Sequence, residues 1–149
     1  MRTISSPPTI PALADRLRIG IARGARRLRQ EAGADLGPTL TAALATVDRH
    51  GPLTPSELAA HERIQRPSAT RLVAKLESRG LIARTAVPGD ARSCLLSTTD
   101  AGHELLVDIR TRKDAFLAQR LRRLSPEDRA TLARAAELLE QLLQDGEPS

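Results

Sequence analysis

The chain is 149 residues long, with 40% hydrophobic and 28% charged residues and a formal net charge of +5, which is one compact domain's worth of polypeptide. No apolar stretch approaches the roughly 18 residues that a bilayer span requires, and no short apolar core behind a basic head marks a secretory leader, so the expectation is a cytoplasmic protein with no membrane partner. A single cysteine, Cys94, excludes an internal disulfide framework and a four-thiolate zinc site.

Residues 1–9 carry no apolar period and read as a flexible tail. From Ile10 the apolar positions Leu13, Leu17, Ile21 and Leu28 form a helical stripe, with Arg16, Arg18, Arg23, Arg26, Arg27 and Arg29 around it. The stripe runs on without a cleavage boundary, which favours a structural helix over an arginine-rich presequence. Gly33 and Gly37-Pro38 end it, and Leu36, Leu40, Leu44 and Val47 resume the period up to His50-Gly51-Pro52. A third helix starts at Thr54-Pro55-Ser56-Glu57. There Thr54 caps the first turn, Pro55 is tolerated at its start, and Glu57 reaches back to the cap. This helix ends between His61 and Ile64, and a fourth runs from Arg66-Pro67-Ser68 through Arg79, closed by Gly80, with Gln65 or Arg66 as its cap.

After Gly80 the residues become β-tolerant. Residues 81–87 and 93–99 bracket a five-residue tip, Pro88-Gly89-Asp90-Ala91-Arg92, and read as a hairpin. From Asp100 the helical period returns through Leu105, Ile109, Phe116, Leu117, Leu121 and Leu124. Ser125-Pro126 starts a last helix with Leu132, Ala135, Leu139 and Leu142 on one stripe, and residues 145–149 read as a second tail. There is no internal repeat and no domain linker. The helices at both ends, 10–35 and 100–144, need something against which to bury their stripes, and a second copy of the chain is the economical partner.

Residues 52–102 carry the chemistry. A short capped helix, a tight connection and a second helix of about 13 residues match a helix-turn-helix, whose second helix enters the major groove. On that helix Ala69, Leu72, Val73 and Leu76 cluster on one face, while Pro67, Thr70, Arg71, Ala74 and Lys75 lie opposite, with Ser68 at the border. Cations, hydroxyls and a small apolar group are the side-chain types that meet phosphate, guanine, backbone oxygen and thymine methyl. On the hairpin, Arg92 at the tip suits a narrow minor groove, with Asp90 two residues earlier to hold it and Arg84 on the rising strand. Of 23 basic residues 21 are Arg, which suits phosphate and guanine, and the single Phe, with no Trp or Tyr, removes the stacking platforms that single strands use; duplex DNA stays open as a polyanionic partner, beside the reading of the charges as a solvated coat.

Residues from about Leu36 to Gly102 resemble the MarR family of bacterial transcription regulators. The likeness rests on Leu58-Ala59, Thr70-Arg71-Leu72-Val73, Leu76-Glu77, Gly80-Leu81-Ile82, Arg84, Asp90-Ala91-Arg92 and Thr99-Asp100-Ala101-Gly102. The resemblance implies a mainly α (α+β) fold, six helices with a β-hairpin wing, assembled as a winged helix-turn-helix homodimer. It further implies a regulator, often a repressor, that binds a pseudo-palindromic operator and is released by a small molecule or oxidant. Carried over residue by residue, it assigns major-groove reading to Ser68, Thr70, Arg71 and Lys75, and minor-groove insertion to Arg92 supported by Asp90. A ligand cleft between the dimer helices and the DNA-binding lobe (36–99) is also implied, and arginines of the first helix would favour an anionic aromatic effector.

Thr98 stands where the family usually has leucine, which bears on local packing. The family's peroxide-sensing thiol lies in the first helix, whereas Cys94 falls on a wing strand and reads as a small packing residue. Some relatives bind zinc near the second and fifth helices, where His50 and His103 would meet. Surface or packing roles are favoured for His50, His61 and His103, and neither a metal nor a cofactor is expected. There is no nucleophile elbow, phosphate loop or carboxylate pair, so no enzymatic activity is expected. Two rival readings stand beside the regulator: a helical module that docks an acidic protein, and an architectural DNA binder without sequence preference.

Overall fold

The computed structural model describes residues 6–33 and 35–144; residues 1–5 and 145–149, expected as tails, lie outside the described residues. The elements are α1 (Ile10–Ala32), α2 (Pro38–His50), α3 (Pro55–Glu62), α4 (Arg66–Ser78), β1 (Ile82–Val87), β2 (Asp90–Thr98), α5 (Asp100–Leu121) and α6 (Pro126–Gln144). Thr9, expected in the tail, is instead the N-cap of α1, and its hydroxyl accepts from Ala12 N–H. α5 stops at Leu121, so Leu124 lies in the turn that follows it.

The chain forms two compact units, one extending through Lys113 and the other from Asp114 onward. In the first, Leu44 and Val47 of α2, Leu58 of α3, Val73 and Leu76 of α4, and Ile82 and Leu96 of the hairpin are all buried in one cluster. On the helices these are the inward positions of the three- and four-residue spacings. Leu81, the last residue of the link between α4 and β1, joins them. In the second unit no residue of α6 is buried, although its period is clear. Ser125 caps α6 by accepting from Asp128 N–H.

Local chemistry explains the boundaries. Thr54 and Glu57 form a complete capping box on α3. α4 ends in a Schellman motif: Gly80, at φ +70°, donates to Glu77 O, and Leu81 N–H donates to Leu76 O at 3.0 Å. The hydrophobic pair that accompanies such a motif is Leu76 with Leu81, both in the core. The same corner receives the start of α5. Thr99 donates its hydroxyl to Gly80 O at 2.6 Å and accepts from Gly102 N–H at 3.1 Å, while its own N–H donates to Leu81 O. A Cβ on Gly102 would lie 2.1 Å from Leu81 O, so only glycine fits where α5 passes beneath that carbonyl. The Gly80-Leu81-Ile82 and Thr99-Asp100-Ala101-Gly102 motifs, some twenty residues apart in sequence, are therefore one interlocked corner.

The hairpin differs from the expected five-residue tip. β2 begins at Asp90, which pairs with Val87, leaving Pro88-Gly89 as a two-residue turn with Gly89 at φ +81°. Further in, Ala86 pairs with Cys94, so residues 91–93 bulge out of β2. Arg92 sits in the middle of that bulge. An additional pairing not expected from sequence joins Leu53 to Leu96 through reciprocal backbone bonds of 3.1 and 2.7 Å, tying the hairpin root to the segment before α3.

Candidate nucleic-acid interface

The α4 residues expected to read DNA lie on the exposed side of that helix. Ser68, Thr70, Arg71, Ala74 and Lys75 are all exposed, while Ala69, Val73 and Leu76 are buried behind them. The side chains of Arg71 and Lys75 have no hydrogen-bond or ion-pair partner among the described residues, so their charges face solvent. Thr70 donates its hydroxyl to Arg66 O at 3.0 Å, which leaves oxygen lone pairs to present outward.

At the wing, Asp90 and Arg92 are brought together, with the carboxylate holding backbone rather than guanidinium. Asp90 Oδ1 accepts from Arg92 N–H at 3.0 Å, and Oδ2 accepts from the Ser93 hydroxyl at 2.8 Å. The Arg92 N–H first, then Ser93, hold the Asp90 carboxyl below its ordinary pKa, because both donate to its ionised form. The Arg92 side chain is exposed and has no partner among the described residues. Ser93 carries no motif of its own in the sequence; its only signal there is the Asx-type turn that Asp90 can build.

Arg84 does not join the tip. Its Nε donates to Glu77 Oε2 of α4 at 2.7 Å, and its Nη1 lies 4.0 Å from Cys94 Sγ. The hydrogen bond to Glu77 raises the Arg84 pKa above its ordinary value, against a smaller opposing effect of burial. Cys94 itself is half-buried on the core side, as its small-residue reading expects.

The three histidines are used between helices. His50 at the end of α2 stacks on His61 of α3, with ring centroids 4.3 Å apart. His103 of α5 contacts Asp48 of α2 at 3.0 Å, and Thr46 and Glu62 bond α2 to α3. His50 and His103 thus have separate partners, and no group of three or more His, Cys, Asp or Glu among the described residues is placed to hold a metal ion. The first unit also has a cavity of about 350 Å³ whose lining includes Arg26, Arg29 and Lys113 with Ala32, Pro38 and Ile109.

A profile described as the MarR family matches residues 36–94, which spans the helix-turn-helix and most of the hairpin. The HTH-type transcriptional regulator ML2140 of Mycobacterium leprae (strain TN), itself uncharacterized, is 34% identical over 134 residues, covering 89% of this chain and 94% of that protein. The chain belongs to the MarR family. It is a transcriptional regulator of the winged helix-turn-helix type. A crystal structure from Pseudomonas aeruginosa PA01, described as that of a transcriptional regulator protein, is 37% identical, covers 92% of this MarR-family chain and 99% of its own, and superposes with a TM-score of 0.82. A mutant of MepR from S. aureus, bound to an oligodeoxyribonucleotide, shares the fold at a TM-score of 0.69 and 20% identity, covering 87% of this chain and 97% of that one. Among the described residues no helix is long and apolar enough to cross a membrane.

Proposed function

We propose that this MarR-family chain works in the cytoplasm as a homodimer that binds a pseudo-palindromic duplex operator and represses from it. In this reading Ser68, Thr70, Arg71 and Lys75 face the major groove and Arg92, held by Asp90, enters the minor groove. The observation that carries the reading is the exposed, unpaired cationic face of α4 together with a wing tip whose backbone is organised by a carboxylate. An α4 face already neutralised by acidic side chains would favour docking elsewhere on the molecule; here Arg71 and Lys75 are uncompensated. The MepR mutant bound to an oligodeoxyribonucleotide supports the same use of this fold.

Pairing is supported by apolar side chains left uncovered in the single chain. Ile10 is 85% exposed, and Leu142 and Leu143 are 65% and 70% exposed. Periodic apolar stripes of this kind mark interaction surfaces. Segments 10–35 and 100–144, which carry α1, α5 and α6, therefore supply the dimer contacts, and the twofold sets two copies of α4 about 34 Å apart, one turn of B-form DNA. The cavity beside Arg26, Arg29 and Lys113 supports an anionic aromatic effector, its carboxylate on the cations and its body on Pro38 and Ile109.

Selection of bound duplexes from a random pool, in the presence of excess nonspecific duplex, tests the reading. An inverted repeat with half-site centres about 10 bp apart is the expected outcome. Recovery of no preferred sequence would leave an architectural binder, and absence of duplex binding would leave the acidic-protein module.

A further inference from the structure

The antiparallel register fixes which way each wing residue points. Arg84 lies opposite Leu96, and Ala86 opposite Cys94. Directly paired residues share a face of the sheet, and alternate residues along a strand do too. Arg84 therefore belongs to the face that carries Ile82 and Leu96, both buried in the core, while Ala83 and Thr85 form the outer, exposed face. A guanidinium on the inner face is directed at the helices.

It meets Glu77, on the flank of α4. Glu77 follows buried Leu76 and comes four residues after buried Val73, so it borders both the packed stripe and the reading face. The 2.7 Å bond from Arg84 Nε to Glu77 Oε2, with Nη1 4.0 Å from Cys94 Sγ, makes Arg84 a bridge from α4 through β1 to β2. Among the described residues it is the outermost side-chain bond between the hairpin and a helix, since Thr85, Ala86 and Val87 make none.

Two consequences follow from elementary mechanics and charge. An isolated two-stranded hairpin is marginally stable, so its orientation depends on how its root is fastened. The tip at Gly89 is five residues beyond Arg84, about 16 Å at strand rise, so about 10° of play there displaces the tip by about 3 Å, a large fraction of a minor groove about 6 Å wide. In addition, a bare carboxylate at the edge of the reading face would repel phosphate, and Arg84 compensates it.

We propose that Glu77 and Arg84 form a strut between the recognition helix and the wing, in which both are positioning residues and Arg84 does not itself contact DNA. The inference rests on the DNA-binding reading above and gives Arg84 a supporting part in it. Half-exposed ion pairs contribute little to global stability, so the strut acts on orientation and shows itself in binding and in local opening of the hairpin.

The test uses the full chain as Glu77→Gln, Arg84→Gln, the double variant, and the reversed pair E77R/R84E. Amide exchange is measured without DNA, and binding to the duplex recovered by selection is measured across a salt series. Faster exchange of the hairpin amides between Thr85 and Cys94 is expected in both single variants, with recovery in the reversed pair and an unchanged melting temperature. Arg84→Gln should bind about tenfold more weakly, with the double variant no weaker than that, because the two residues act as a unit. The slope of log affinity against log salt should stay at the wild-type value. Loss of a phosphate contact would instead lower that slope by about 0.9, and Glu77→Gln would then tighten binding by freeing a cation. That result, or hairpin exchange unchanged in either single variant, overturns the strut. If the wild-type chain binds no duplex, the regulatory reading fails while the exchange data still decide the strut.

Discussion

The helices of the DNA-binding lobe and the helices at the two ends of the chain carry equally regular apolar spacing, and they meet opposite fates. Leu44, Leu58 and Leu76 are fully buried, whereas Ile10, Leu138, Leu142 and Leu143 stay exposed in the single chain. Periodicity therefore reports that a face is to be covered and is silent on what covers it. In the lobe the cover is intramolecular, supplied by short connections and a hairpin root. For α1 and α6 we assign it to a second copy.

Truncation gives the largest contrast. Leu44→Ala should cost about 2–5 kcal/mol at any protein concentration, measured by denaturant unfolding, because it opens a cavity in a closed core. The double change Leu138→Asp with Leu142→Asp should leave exchange protection of the lobe intact and abolish the concentration dependence of the melting temperature that a dimer imposes. A lobe that unfolds with the second pair would erase the contrast. Next, Arg71→Ala and Arg92→Ala should each weaken binding to the selected duplex by about 1–3 kcal/mol without shifting the unfolding midpoint, with Arg71→Ala also relaxing sequence preference.

A smaller effect sits at the seam between the lobe and α5. Thr98 Oγ1 is buried with no hydrogen-bond partner among the described residues, and its Cγ2 would lie 2.8 Å from a Cβ at Gly102. Thr98→Val keeps the shape and removes the orphaned hydroxyl, so it should stabilise the protein by about 1 kcal/mol in thermal or denaturant unfolding. The smallest effect is electrostatic. The Asp90 carboxyl is held below its ordinary pKa, so the order it lends the wing is fully present above the unfolded value and is lost only as pH falls through the lower folded value. Ser93→Ala should move the Asp90 titration midpoint upward, read by carbon NMR, and leave wing behaviour at neutral pH nearly unchanged.

Much of the lobe was legible in sequence because its signals are local. Thr54 and Glu57 spell a capping box, Gly80 marks a helix end, and the spacing from Ala69 to Leu76 separates the packed face of α4 from its exposed face. What escaped the sequence depends on pairing register. Asp90-Ala91-Arg92 looks like a loop tip, yet Asp90 pairs with Val87 and only Pro88-Gly89 turn, which shifts Arg92 into a bulge. Arg84 looks like one more cation on a basic wing until its pairing with Leu96 turns it toward Glu77. The separate partners of His50 and His103 likewise depend on how α2, α3 and α5 meet, which no local spacing records.

The most direct test of the proposed dimeric reading is a hydroxyl-radical footprint of the selected duplex combined with the native mass of the complex. Two protected stretches related by a dyad, about one helical turn apart, with two chains on one duplex, are the expected result. A single protected stretch held by one chain would contradict it.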